Sequence, residues 1–311
     1  MNALAPALAP STADSTGNDT QNRASTGPRL RCREIKEADL NPLIDLLTAG
    51  YQLADRNFWR QRIDRLSRYS PPPGFPKFGY LLDCDNSPVG VIFTVFSSYV
   101  ADKKTKVRCY LANWFVEPNY RSYAIMLAAH AAKNRDVTYR IGTPSGHSLP
   151  ILLALGYQKY CDGRFISLPA LSWRSERVRV ERFDAHRPGS AGITSAEDKI
   201  FVSHAEYGCI GLKCLAAGRE YPFVFQPRRK GGLVPFARLV YCRDMDDFVR
   251  FAGSLGRFLL ARGFPLVVLD TNGPVSGLIG KYSDKFPKYF KGVDQPTLAD
   301  SAYSARVIFD F

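Results

Sequence analysis

VRCYLANWFVEPNYRSYAIMLAAHAAK, residues 107–133, reads as a strand, a tight connection and a helix. VRCYLANWFV is rich in β-branched and aromatic residues, which suit a pleated, half-buried surface. Pro118 stops the strand, because proline has no N–H to give to a ladder. SYAIMLAAHAAK is rich in Ala, Leu and Met, which lose little freedom on entering a helix. Arg121 stands at the helix start, and no carboxylate follows it in the first turn. A helix start presents free N–H groups and a partial positive charge, so this one is predicted to seat an anion such as a phosphate.

Outward from this stretch, the first half reads as an alternation of strands and helices. RLRCREIK alternates as a first strand. EADLNPLIDLLTAGYQ is an amphipathic helix, with Leu40, Leu43, Ile44 and Leu47 at helical spacing. FWRQRIDRLSRY is a second helix, closed by Pro71-Pro72-Pro73. FGYLLDC and VGVIFTVFSSYV are strands around the turn Asp85-Asn86-Ser87-Pro88. After the central strand and the helix Tyr120 to Lys133 come the strand VTYRIGT, the helix HSLPILLAL ended by Gly156-Tyr157, and a final strand CDGRFISL. Ser145 is a candidate helix cap.

Residues 107–133 resemble the acyl-CoA-binding segment of the GNAT N-acyltransferases. The family motif, Gln/Arg-x-x-Gly-x-Gly/Ala, follows a strand ending Val-x-Pro. Val116-Glu117-Pro118 and Arg121 stand in those places, while Ala124 and Met126 stand where the family has glycines. The order of elements over residues 29–170 is similar to the family's, and Gly156-Tyr157 resembles the Gly-Phe that ends its last helix. The resemblance implies an α/β (α+β) GNAT fold, a mixed sheet flanked by helices. It implies acyl-CoA as co-substrate, a small acceptor and no metal. In the family the backbone near Phe115 and Val116 holds the pantetheine or acyl carbonyl. The pyrophosphate would then sit on the amides of Ser122, Tyr123, Ala124, Ile125 and Met126, with Arg121 adding charge. Met126 puts a long side chain on that path.

Acyl transfer to an amine needs a proton acceptor for the amine, a donor for the oxyanion and a proton for the thiolate. Where family members carry a carboxylate base and a tyrosine acid, this sequence has Ala112 and Leu152. The catalytic residues are therefore unassigned. Asn113, Glu117 and His147 are the nearest polar groups in pattern, and Cys109 reads as a packed core thiol.

The second half looks like a worn copy of the first. CIGLKCLAAGREYPFVFQPRRK is a hairpin, PFARLVYC a strand, DMDDFVRFAGSLGRFLLARG a helix and PLVVLDT a buried strand; SARVIFDF closes the chain. RDVTYRIGTPSG and GFPLVVLDTNGP share a pattern of helix exit, strand, Thr and turn. His204 and Glu206 are expected on one strand face. The division that follows is a disordered tail over 1–28, a GNAT-like acyl-CoA-binding domain over 29–170, a linker over 171–195, and a second, degenerate GNAT-like domain over 196–311. Asp244, Asp246 and Asp247 crowd the second half's helix start, so acyl-CoA is expected on the first half alone.

The net charge of +13 favours anionic ligands. Its basic runs are Arg174, Arg177, Arg179, Arg182 and Arg187, then Arg228-Arg229-Lys230, without the aromatic interleaving of a single-strand binder. No apolar run approaches the roughly 20 residues of a membrane span. Seven scattered cysteines with no C-x-x-C pair point to reduced thiols and a cytoplasmic setting. Two other readings stay open. One is a transferase resembling the FemABX group, using aminoacyl-tRNA, whose phosphates the basic surface would suit. The other is a non-catalytic GNAT-like binding module.

Residues 1–28 are mostly Ala, Ser, Thr, Pro, Asn and Asp without periodicity, and bury too little apolar surface to order themselves. Their removal should leave the melting temperature nearly unchanged. A drop of more than about 5 °C in a thermal scan would contradict that assignment.

Overall fold

The computed structural model describes residues 29–51, 54–101, 104–173, 175–184, 192–229 and 234–310. The expected tail lies outside them, as do Arg174, Arg187 and Lys230 of the basic runs. The first half runs β1 (Leu30–Glu34), α1 (Leu40–Gly50), α2 (Arg56–Ser67), β2 (Gly79–Cys84), β3 (Ser87–Ala101) and β4 (Lys104–Val116). It continues through α3 (Ala124–Ala131), β5 (Val137–Gly142), α4 (Ser148–Ala154), β6 (Gln158–Cys161) and β7 (Gly163–Ser167). The second half runs β8 (Arg179–Arg182), α5 (Ser195–Glu206), β9 (Ile210–Ala216), β10 (Arg219–Arg228), β11 (Phe236–Cys242) and α6 (Met245–Leu260). It ends with β12 (Leu266–Thr271), β13 (Gly280–Ser283), β14 (Lys288–Lys291) and α7 (Ala305–Phe309).

Two mixed seven-stranded sheets form, ordered β1-β2-β3-β4-β5-β14-β6 and β8-β9-β10-β11-β12-β7-β13. Position by position, the second sheet repeats the first. Both turns of the matching hairpins have two residues of positive φ, Asp85 and Asn86 (50° and 66°) and Ala217 and Gly218 (48° and 72°). That backbone matches the right-handed twist of the flanking strands. Each half also lends one strand to the other. β7 lies between β12 and β13, and β14 between β5 and β6.

The single final strand expected over CDGRFISL is thus two. The chain crosses between sheets at Asp162, whose N–H donates to Asn272 Oδ1 (2.7 Å). The stretch 171–195, read as a linker, contains β8, which edges the second sheet. Gly163 and Gly280 face each other's strands so closely that a Cβ on either would collide with a carbonyl oxygen, of Ser283 and Ile166 respectively. Only glycine permits that approach.

One apolar core lies between the sheets, where α1, α2 and α7 meet Phe201, Tyr207 and Val240 of the second half. A second lies on the far face of the first sheet under α3, and a third on the far face of the second sheet under α6. All seven cysteines are free, and burial pushes the Cys109 thiol up. No helix among the described residues is long and apolar enough to cross a membrane.

His204 and Glu206 lie on α5, not on a strand. Thr194 and Glu197 close a reciprocal capping box there, the Thr194 N–H donating to Glu197 Oε2 (2.8 Å). Such a box satisfies two free helix-start donors and commits the segment to helix. His204 is buried and neutral. Its Nδ1 donates to the Ile200 carbonyl (2.8 Å), and its Nε2 accepts from the Tyr303 N–H (3.0 Å).

Burial pushes His204 down to about 4 from an ordinary 6.5. The unfolded chain then holds more protons between those values, so stability falls as pH drops through that window. The loss should reach about 3 kcal/mol by pH 4, at 1.36 kcal/mol per unit. Urea denaturation at several pH values should show this slope in the wild type and a flatter one in His204→Gln. Equal slopes would clear His204.

Candidate active site

β4 and β5 run parallel in register from Val107↔Val137 to Leu111↔Ile141 and then part, although β4 continues to Val116. A bulge accompanies the parting. Val91 pairs with Phe115 and Phe93 with Ala112, so Asn113 and Trp114 together oppose Ile92. Asn113 takes φ 47°, a left-handed conformation that asparagine adopts more readily than other side chains. A bulge bends its strand and sharpens its twist, which turns β4 away from β5. It also resets the alternation of faces. Ala112 packs into the core between the sheets and Trp114 against the core under α3.

The parted strands leave a cleft of about 380 Å³. β4 contributes Tyr110, Ala112 and Asn113, β5 and its exit contribute Ile141, Gly142 and Thr143, and the start of α4 contributes Ser145 and Ser148. The opposite wall belongs to the second half: Arg238 of β11, Lys288 of β14, Ser301, and Arg306 of α7. Asn113 Nδ2 is buried without a partner. The Tyr110 hydroxyl accepts from Arg140 Nη1 (3.1 Å).

The matching gap in the second half is filled. β11 and β12 pair from Phe236↔Leu266 to Arg238↔Val268 and then separate. Residues 299–301 lie along the freed edge of β11, with Cys242 N–H donating to the Ala299 carbonyl (3.0 Å) and Ser301 N–H to that of Val240 (2.8 Å). A larger cavity, about 950 Å³, opens near the start of β4, but its buried charges are already matched. Arg108 Nη1 pairs with Asp300 (2.6 Å), and Glu197 with Arg243 (2.6 Å).

No protein-family model matches the sequence, and no curated protein matches it either. Solved structures do match. A GCN5-related N-acetyltransferase from Anabaena variabilis aligns over 84% of this chain and 72% of its own, at TM-score 0.54 and 10% identity. One from Kribbella flavida aligns over 85% and 71%, at TM-score 0.51 and 13% identity. A GCN5-related glucosamine N-acetyltransferase region of a fungal β-N-acetylglucosaminidase aligns over 86% of this chain and 38% of that one, at TM-score 0.54 and 11% identity. The chain has the GNAT fold. At these identities the likeness is one of architecture, and the paired sheets are consistent with two GNAT-like units in tandem.

Within that fold the residues singled out from the GNAT motif fall outside the cleft's lining. Phe115 is half-buried, its ring against Gly50 and 5.6 Å from that of Tyr51, which does line the cleft. Val116 is buried in the core under α3. The expected helix from Tyr120 opens as a 3-10 turn, Pro118–Tyr123, and becomes α-helical at Ala124. Arg121, Ser122 and Tyr123 are exposed on that turn, Ala124 is buried, and Ile125 and Met126 are exposed on α3. No side chain caps α3 and no acid lies in its first turn. In the second half Asp244 caps α6 through the Asp246 N–H (3.0 Å), with Asp246 and Asp247 in the first turn.

Of the polar candidates, Asn113 reaches the cleft. His147 is exposed at the start of α4, and Glu117 precedes the 3-10 turn. Leu152 is fully buried and Ala112 is 6% exposed, so both positions serve the core. Arg238, Lys288 and Arg306 were missed. The one signal was a lone Arg238 inside the apolar strand PFARLVYC.

The left-handed bulge is directly testable. Asn113→Gly should keep stability within a few tenths of a kcal/mol, while Asn113→Val should lose about 1–2 kcal/mol in urea denaturation. Equal losses would mean that the amide, and not the backbone angle, holds the bulge.

Proposed function

We propose that the chain is an acyltransferase moving an acyl group from acyl-CoA to an amine or hydroxyl acceptor in the cleft. The observation that carries this is the open gap between the parallel strands β4 and β5, followed through a 3-10 turn by a helix, α3, whose start no side chain caps. A pantetheine amide needs unpaired backbone on a strand edge, and a pyrophosphate needs free amides at a helix start. The edge at Phe115 and Val116 fits the first requirement. For the second, Arg121 stands beside those amides of Ser122 to Met126 that the 3-10 turn leaves over, the Ala124 N–H already donating to the Arg121 carbonyl. Exposed Met126 can turn its flexible side chain off this path.

Bound acyl-CoA would supply an activated thioester carbonyl. The chain's own part is to orient, donate and exclude water. Asn113 Nδ2, buried and without a partner, is the donor available for developing negative charge on an oxygen. Tyr110, hydrogen-bonded by Arg140, is the hydroxyl available to relay the acceptor's proton. The second half walls the cleft and keeps bulk water from it. A second reading, a binding module without turnover, is favoured by the apolar residues Ala112 and Leu152. Thiol release with an amine panel separates the two.

Calorimetry should give one CoA per chain, since residues 299–301 and the aspartates of α6 occupy the second half's equivalent positions. Arg121→Glu should weaken that binding at least about tenfold, or 1.4 kcal/mol. Two equivalent sites, or unchanged affinity in a folded variant, would overturn the assignment.

A further inference from the structure

The wall that the second half gives to the cleft is cationic beyond what its carboxylates can balance. Lys288 of β14 is paired with Asp270 of β12, and Ser301 Oγ donates to the same carboxylate (3.1 Å). Burial works to raise the Asp270 carboxyl, but Lys288 and Arg306 outweigh it and hold it below the usual range. Asp270 is therefore already committed. Among the described residues, neither Arg238 nor Arg306 forms a salt bridge. Arg238 is 8% exposed and hydrogen-bonds to a neutral partner, Gln226 Oε1 (3.3 Å), with the Phe236 ring 6.0 Å away, while its Nε is buried without a partner. Arg306 gives Nη2 to Thr143 Oγ1 (3.1 Å) at the exit of β5, and its Nη1 is also buried without a partner.

An unpaired buried cation is costly, and two guanidiniums facing one cavity add mutual repulsion. Burial first, then Arg306 and Arg164, push Arg238 down to about 9. Both unpaired N–H groups belong to side chains that line the cleft. A guanidinium presents its donors in a planar fork that matches a carboxylate or phosphate.

We infer that the acceptor carries an oxyanion, a carboxylate or a phosphate monoester, close to its nucleophilic group, and that Arg238 and Arg306 hold it. The inference rests on the acyltransferase reading for the word acceptor, but the anion site stands on its own geometry. The oxyanion side fixes which end of the acceptor faces Tyr110 and Asn113. The CoA phosphates have their own seat at α3, so the two anion sites take different ligands.

Two measurements test this. The first is calorimetry without CoA, using L-phenylalanine, L-lysine, O-phosphoethanolamine and inorganic phosphate, against phenethylamine and cadaverine. At least one oxyanion should bind, and its affinity should fall at least tenfold in Arg238→Gln and in Arg306→Gln. A preference for the amino acids assigns a carboxylate, and for O-phosphoethanolamine a phosphate. Binding of none of the oxyanions, or equal binding to both variants, overturns the proposal. The unliganded Arg238→Met should melt no lower than the wild type, since it removes an unpaired buried charge; a marked drop would make Arg238 a structural residue and also overturn it.

The second measurement is thiol release with acyl-CoA over the same amines. The ratio of kcat/KM for an acid-bearing amine to that for its decarboxylated counterpart should exceed about ten and collapse in Arg238→Gln. Turnover indifferent to the acid group would sink the oxyanion site and leave the acyltransferase reading intact. Oxyanion binding without thiol release would do the reverse.

Discussion

The exchange of β7 and β14 between the sheets is the constraint on which the molecule depends. A strand inside a sheet needs hydrogen-bond partners on both edges, and an exposed edge invites wrong pairing. β5 and β6 of the first half obtain theirs only when β14 arrives from the far end of the chain. β12 and β13 likewise require β7. The halves are therefore bound by backbone ladders as well as by the apolar core between the sheets. The exchange also carries the chain's last segment across the first half, where Arg108 Nη2 donates to the Ala302 carbonyl (3.3 Å) and Arg65 Nε to that of Ile308 (2.9 Å).

That last segment makes the two similar halves unequal. Where β11 leaves β12, residues 299–301 take the vacated edge; where β4 leaves β5, the edge stays open. The helix starts diverge in the same sense, α6 capped by Asp244 and α3 without a side-chain cap. One half thus keeps the features suited to an extended anionic ligand, and the other supplies a wall. The wall is the source of Arg238, Lys288 and Arg306, so the cleft is complete only when both halves are present.

The charge of the chain has an interior counterpart. Exposed basic side chains, such as Arg121 and Arg179, carry charge that water screens at little cost. Arg238 and Arg306 differ in lining the cleft with an unpaired N–H each, which low dielectric makes costly. Their retention in a cleft is more informative than any surface run. Arg179 bonds Glu181 on its own strand, and Arg228 is paired with Asp310.

Local pattern was enough to read most of the fold. The stretch 107–133, the helices α1, α2 and α6, the β2–β3 turn and the repeat relating β5 to β12 are written in nearby residues, because periodicity and turn chemistry act over a few positions. The capping box of Thr194 and Glu197 is local too but was not read, and its helix displaces the strand expected around His204. The final short strands were not legible. β13 and β14 are four residues each, too short to show a period, and their partners lie far away in sequence. The candidate site divided along the same line. Sequence alone marked the strand, turn and helix start proposed for CoA, since one continuous segment builds them. Only the tertiary structure decided that Asn113 bulges, that the gap stays open in one half, and that Arg238, Lys288 and Arg306 face it. Those facts follow from strand pairing between distant segments, which no local spacing encodes.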